Sequence, residues 1–385
     1  MKKKILGLVL IFAAGIVFGQ QMENFNGFLY EIVDDRSVNI TGYTGNATTL
    51  NIPAQIQGLP VTSISHNEEY PGRSIFGDNI ISIIIPSSVT VITEYALYTL
   101  NKLTSITVDN RNPAYSSIDG VLFDKDKRTL IKYPGGKTAK TYTIPSSVTV
   151  IGEHAFYFSS SLTSVNIPSS VTFIEERAFD NCRSLTSVTI PTSVTAIGRQ
   201  AFSYCFSLTS VTIPSSVTAI GDFTFLYCSS LVSITVDSLN PTYASIDGVL
   251  FDKRIRTLIK YPQGRNQSSY VIPSSVTSID NSAFGYCSYL TSVTIPSSVT
   301  SIGNRTFYAC SNLTSVTIPS SVTFIRDEAF AYCHSLTSVT IPSSVIAIGD
   351  GAFSVSASLT SVSLSRRTQV GREAFDENVR ITYRD

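Results

Sequence analysis

Six cysteines, Cys182, Cys205, Cys228, Cys287, Cys310 and Cys333, have the widest chemical repertoire in this chain. Thiols can pair as disulfides, hold soft metals or attack as thiolates. They recur at intervals of 23, 23, 59, 23 and 23 residues, so each holds the same place in a repeated unit. Stacked copies would bring Cα atoms close but keep Cβ vectors parallel, which suits the disulfide torsion poorly. Ser159 and Ser356 fill the same slot elsewhere, so the slot asks for a small buried side chain. The expectation is a structural ladder of buried free thiols. Disulfides remain the alternative, because an even cysteine count would favour them if the chain is exported. No Cys-x-x-Cys pair or Cys/His cluster supplies the four ligands of a zinc site.

Other chemistry is sparser. His66, His154 and His334 occupy unrelated places in the repeat. A Ser/His/Asp or Cys/His arrangement would therefore have to be assembled across distant segments. Gly-x-Ser-x-Gly, phosphate-loop and His-Glu-x-x-His motifs are missing. Asp109, Asp119 and Asp124 form one acidic group, and Asp237, Asp247 and Asp252 another. Calcium needs six or more converging oxygens, and turn-forming aspartates explain both groups with fewer assumptions. Glycine recurs at one repeat position, as in Gly152, Gly198 and Gly221, and reads as a turn. No enzyme, metal or cofactor is expected.

The elements that place these residues are repeats. Counting from Ile144 as position 1, the pattern IPSSVTVIGEHAFYFSSSLTSVN restarts at Ile167, Ile190 and Ile213, each 23 residues on. It restarts again at Ile272, Ile295, Ile318 and Ile341, with an earlier copy at Ile85 and a partial one at Leu364. Two 36-residue units, 108–143 and 236–271, interrupt the series. Residues 85–212 and 213–340 form a duplicated block of 128 residues.

One unit cannot bury its apolar positions alone, whereas stacked units can, so a solenoid follows. In the stretch LTSVTIP, Val211 and Ile213 share one strand face, and Ser210 and Thr212 share the other. Pro214 ends the strand. Ala201, Phe202 and Cys205 are spaced for one or two helical turns with one buried face. About a dozen coils spaced ~4.8 Å apart give a parallel sheet roughly 60 Å long. In the long units, Val121-Leu122-Phe123 and Thr129-Leu130-Ile131 flank a charged turn and read as a protruding β-hairpin. Phe251 and Leu258 mark its counterpart. Phe28, Tyr30 and Ile32 alternate, as do Val38 and Ile40, with Asp34-Asp35-Arg36 as the turn of an N-terminal β cap over 20–51. The repeats then fill 52–363, and a partial repeat with Ile381-Thr382-Tyr383 closes 364–385.

Binding is the remaining function to place. Positions 21 and 23 hardly vary and give outward rows of hydroxyls, among them Ser187/Thr189, Ser210/Thr212 and Ser315/Thr317. They are either a solvated β face or a surface for an extended ligand held by many weak contacts. Lys125, Lys127, Arg128 and Lys132 make the first hairpin basic, with Tyr133 nearby. Lys253, Arg254, Arg256 and Lys260 do so in the second, with Tyr261 nearby. Such tips either guard exposed edges or form paired contact sites. Tyrosines at position 15, Tyr204, Tyr227, Tyr286 and Tyr332, are either half-buried packing or an exposed aromatic ladder.

The pattern LTSVTIPSSVTxIGxxAFxxCxS resembles the BspA-like, or treponemal-type, bacterial leucine-rich repeats. The resemblance covers roughly residues 50–380 and extends to the opening Tyr43–Ile64. It implies a leucine-rich-repeat solenoid: a stacked parallel sheet with a short helical or irregular convex side. It also implies an exported surface protein attaching to host matrix or other cells through a protein or glycoconjugate ligand. A structural role in the envelope or periplasm is the alternative.

Lys2, Lys3 and Lys4 followed by the apolar run Ile5–Phe18 read as a secretory signal peptide over 1–19, with Val17 and Gly19 before the cleavage point. The run is too short to span a bilayer, and no second such stretch follows. Without those residues the net charge is about −3, which gives nucleic acid or an anionic membrane no electrostatic attraction. Only 15% of residues are charged and Trp is absent. The Ile/Val/Thr bias favours strands, and a monomer is expected.

Overall fold

The structure, a computed structural model, describes residues 23–65 and 75–384. The expected leader at 1–19 and His66 lie outside the described residues. Each 23-residue unit forms one coil with three stretches. The first is the Ser-Val-Thr strand. Ser187–Thr189 and Ser210–Ile213 pair in parallel, with Ser187 opposite Ser210, Val188 opposite Val211 and Thr189 opposite Thr212. The two-residue period buries Val188 and Val211 and turns the hydroxyls outward. Pro214 follows, and its carbonyl accepts the Val217 N–H at 3.3 Å, which turns the chain. The second stretch is a two-residue strand: Ala196–Ile197 pairs in parallel with Phe173–Ile174 and Ala219–Ile220.

The third stretch, around Ala201-Phe202, corrects the expectation of helical turns. Among the described residues the one helix is the 3-10 turn Glu94–Leu97. The N–H groups of Gln200, Phe202 and Tyr204 donate to the Asp222, Thr224 and Leu226 carbonyls of the next coil, at 2.9, 3.0 and 2.8 Å. Ala201 and Ser203, between them, donate three residues back within their own coil. A helix would spend every donor locally and leave this side of the coils unlinked. Gln200 and Tyr204 have φ of 54° and 55°, a left-handed conformation that an α-helix does not contain. The spacing of Ala201, Phe202 and Cys205 fits both arrangements, which is why it misleads. Gly198 and Gly221 do not need positive φ. A Cβ there would lie 2.5 and 2.4 Å from the backbone of the preceding coil, so close approach, not turn geometry, explains them.

The long units contain the expected hairpins and one strand more. Tyr115–Ile118, Val121–Asp124 and Thr129–Lys132 form an antiparallel meander, and Thr129–Lys132 then pairs in parallel with Val150–Ile151. Asp119 and Gly120 turn its first hairpin with φ of 50° and 77°, as a two-residue turn with both residues left-handed requires. The meander strands do not stand clear of the body. Val121 and Phe123 pack into the middle core, and Leu122 faces the N-terminal core. Residues 243–260 repeat this arrangement, with Leu250 in the middle core and Val249 and Phe251 in the C-terminal one. Each meander is thus a partition between cores, with its tip and its first turn reaching solvent.

At the N-terminus, Phe28–Val33 and Ser37–Tyr43 pair in antiparallel fashion around Asp34-Asp35, both with positive φ. At the other end, Arg380–Arg384 adds in parallel to Ser361–Ser365.

Candidate binding faces and cavities

The outward face is built by register. Ser187, Thr189, Ser210, Thr212, Ser315 and Thr317 are all exposed. None of their hydroxyls bonds another protein group among the described residues. Neighbouring hydroxyls behave differently. Thr186 Oγ1 and Thr209 Oγ1, one position earlier in the repeat, donate to the Thr163 and Thr186 carbonyls at 3.1 and 3.3 Å. Ser193 and Ser216 donate to Val171 and Val194 at 2.7 Å each. The repeat therefore separates hydroxyls that tie coils together from hydroxyls left available to solvent or a ligand.

The basic residues divide in two. Lys125, Arg128, Lys253, Arg254 and Arg256 are exposed on the tips, and Lys127 is half-buried. Lys253 Nζ is tied to the Ser238 carbonyl at 3.0 Å, and Lys125 Nζ to the Asn110 and Asn112 carbonyls. Lys132, Tyr133, Lys260 and Tyr261 are not tip residues. They are buried, with exposures of 4, 1, 8 and 0%. The reason is strand alternation: Lys132 shares its face with Leu130, and Lys260 with Leu258. Tyr133 takes the place of the repeat phenylalanine, its ring stacked 5.3 Å from Phe156.

All six cysteines are buried and free. Five of the thiols donate to a carbonyl of the preceding coil at 3.1 to 3.3 Å, as Cys205 Sγ does to Phe179 at 3.3 Å. Ser356 Oγ makes the same bond to Phe330 at 3.2 Å, which explains the interchange of Ser and Cys at this slot. Burial pushes the Cys228 and Cys333 thiols up to about 12, so they stay protonated and unreactive. The aspartates serve turns: Asp124 Oδ1 accepts from the Arg128 and Thr129 N–H groups, and Asp252 Oδ1 from Arg256 and Thr257. Among the described residues no three His, Cys, Asp or Glu side chains gather as metal ligands.

The position-15 tyrosines combine both readings. Tyr204, Tyr227 and Tyr286 are half-buried and Tyr332 is exposed. Tyr204 stacks on Tyr227 at 4.3 Å, and Tyr227 meets Tyr286 at 4.3 Å although 59 residues separate them. One repeat position earlier, Tyr98 and Tyr157 stack in the first block at 4.0 Å. The pairs Tyr98–Tyr157 and Tyr227–Tyr286 each span a long unit.

At each of the two long units the two-residue ladder is interrupted. Ile92 and Ile220 are the last strand residues before each break. Their N–H groups donate to Tyr115 Oη and Tyr243 Oη, both at 2.9 Å, so two phenols replace a missing strand. Asn112 and Asn240, both fully buried, support the same places. Asn240 Nδ2 donates to the Pro214 and Val217 carbonyls at 2.8 Å each, and its Oδ1 accepts from Thr242 and Tyr243. The sequence reading passed over these asparagines. The signal was the Asn-Pro pair shared by both long units beside residues that differ.

A cavity of about 250 Å³ opens at each break. The first is lined by Ile92, Leu97, Tyr98, Ile131, Lys132 and His154, among others. The second includes Ile220, Phe225, Leu226, Ile259, Lys260 and Ser282. Lys132 Nζ donates to the His154 carbonyl at 3.4 Å and Lys260 Nζ to the Ser282 carbonyl at 3.1 Å. Burial pulls Lys132 down to about 8 and lowers Lys260. His154 is held at about 3 by burial, then by the charges of Lys132 and Arg177, so its ring is neutral at physiological pH.

The comparisons fit this architecture. The pattern of the BspA type Leucine rich repeat region matches in six copies, over residues 69–138, 132–254 and 261–382. A leucine rich cell surface protein from Faecalibacterium prausnitzii has a similar structure, at 26% identity and a TM-score of 0.56, covering 92% of this chain and 95% of that one. The pneumococcal vaccine antigen PcpA shares the fold at 22% identity and a TM-score of 0.57, covering 95% of this chain and 88% of that one. No curated protein sequence matches the chain.

Proposed function

Because the chain belongs to the BspA-type leucine-rich-repeat family of bacterial surface proteins, we propose that its outward strand face binds an extended macromolecule at the cell surface. The observation that carries this reading is the register of exposed hydroxyls without protein partners, Ser187/Thr189 beside Ser210/Thr212, and Ser315/Thr317 in the second block. Each row offers weak contacts, and in-register repetition sums them. A host matrix protein or a glycoconjugate presents the repeated donors and acceptors such a face can meet. Export by the N-terminal leader and display as a monomer complete the reading. Among the described residues no helix is long and apolar enough to cross a membrane. The tip cations Arg128, Arg254 and Arg256 add a second, salt-sensitive contact.

The test has two arms. Protease shaving of intact cells should release peptides of this chain. The purified chain should bind at least one member of a panel of matrix proteins and cell-surface glycans. Replacing Arg128, Arg254 and Arg256 by Ser should weaken that binding by less than about fivefold, and only at low salt. A chain inaccessible on intact cells, or one that binds nothing in the panel, would retire the reading.

A further inference from the structure

We propose that the two ladder breaks are pockets for a carboxylate carried on an apolar body, one pocket in each half of the duplicated block. Their likeness is the first reason. The cavities are equal in volume, and Ile92, Ile131 and Lys132 of one correspond to Ile220, Ile259 and Lys260 of the other, 128 residues on. The lysines are the second. Both are more than nine-tenths buried, yet each ammonium, with three donors, makes a single hydrogen bond to one carbonyl. Neither lysine forms an ion pair among the described residues. A buried charge without a counter-ion is costly, and an anion entering the cavity would relieve that cost while filling the two unused donors.

The walls select the anion. Ile220, Phe225, Leu226 and Ile259 give the second cavity apolar sides, and Leu97, Tyr98 and Ile131 do the same in the first. Tyr243 Oη already accepts from Ile220, so its own proton is free to donate to a ligand oxygen. Glu153 lines the first cavity, and Asp222 and Asp280 the second. Their negative charge disfavours a phosphate dianion, so a singly charged carboxylate seated against the ammonium is the better match. About 250 Å³ suits a small acid or a single side chain. The inference does not depend on the outward face binding anything.

The source of the carboxylate, a free small acid or an acidic side chain of a partner, is separated by the probes. Calorimetry on the whole chain would use benzoate, a capped Ala-Glu-Ala peptide, and benzyl alcohol as an uncharged control. Two equivalents of benzoate should bind at least tenfold more tightly than benzyl alcohol. Lys132→Met and Lys260→Met should each leave one equivalent, and the double variant none. Leu226→Trp keeps Lys260 but fills only the second cavity, so it too should leave one equivalent. This variant preserves the test if a lysine substitution impairs folding. Binding of the peptide alone would assign the carboxylate to a partner side chain. Binding of neither probe at millimolar concentration, or two equivalents persisting in Leu226→Trp and in the folded double variant, would overturn the proposal.

Discussion

A regular coil and a long unit both tie one turn of the solenoid to the next, but they divide the labour differently. In the regular coil the ties are single bonds spread over many side chains: Ser193 Oγ to Val171, Cys205 Sγ to Phe179, Thr209 Oγ1 to Thr186. Each recurs in neighbouring coils, so the loss of one is local. In the long unit a single buried amide, Asn240, makes four bonds. A phenol caps the interrupted ladder, and a lysine is left buried beside a cavity. Redundancy makes the regular coils tolerant and uniform. Concentration makes the long units fragile, and it is there that polar groups are held with unused hydrogen-bonding capacity.

That contrast is most easily broken by substitution. Asn240→Ala strands the Val217 carbonyl and the Thr242 and Tyr243 N–H groups, leaves the Pro214 carbonyl one bond of two, and should cost about 3–5 kcal/mol. Ser193→Ala removes one bond and should cost about 1 kcal/mol. Thermal unfolding of both variants checks this, and equal costs would mean that the long units are not special.

Acid should separate the two regions by sign. Asp180 lies in a regular coil, where burial raises its carboxyl from 3.8 to about 6 against the Ser203 hydrogen bond. Its folded-state pKa is above the unfolded one, so its contribution is fully present below about pH 4 and lost as pH rises through 6. His154 lies at the first break and its folded-state pKa is depressed from 6.5 to about 3. Its contribution is present above pH 6.5 and lost as pH falls toward 3. Between pH 7 and 4.5, Asp180→Asn should therefore lose ground relative to wild type by about 2 kcal/mol, and His154→Phe should gain a similar amount. Melting temperatures at the two pH values read both, and parallel shifts would refute the assignment.

The smallest effect belongs to the thiol slot. Cys205→Ser should change stability by less than about 1.5 kcal/mol, because Ser356 makes that bond natively. The protein unfolded without reductant should titrate as six free thiols, and paired thiols would lower the count.

Much of this was legible in the sequence, for a physical reason. A 23-residue period fixes which positions face each other, so the strands, the buried Val211 and the cysteine ladder follow from spacing alone. The Ala201–Cys205 stretch was not legible, because a helix and an inter-coil turn bury the same residues and differ only in where the N–H groups donate. Lys132 and Lys260 were assigned to exposed tips by their basic neighbours. The alternation Leu130-Ile131-Lys132 carried the correct answer, that the lysine points where the leucine points. The cavities were beyond sequence reading, since they arise where the two-residue ladder stops, which depends on the path of the chain and not on the type of any one residue.

The most direct test of the binding account is the outward face itself. Thr189→Lys, Thr212→Lys and Thr317→Lys together alter exposed positions only and should shift stability by no more than about 0.5 kcal/mol each. Affinity of this variant for a partner found in the panel, measured beside wild type on the same surface, should fall at least tenfold. Unchanged affinity in a folded variant would contradict the account and move the contact away from the repeated hydroxyls.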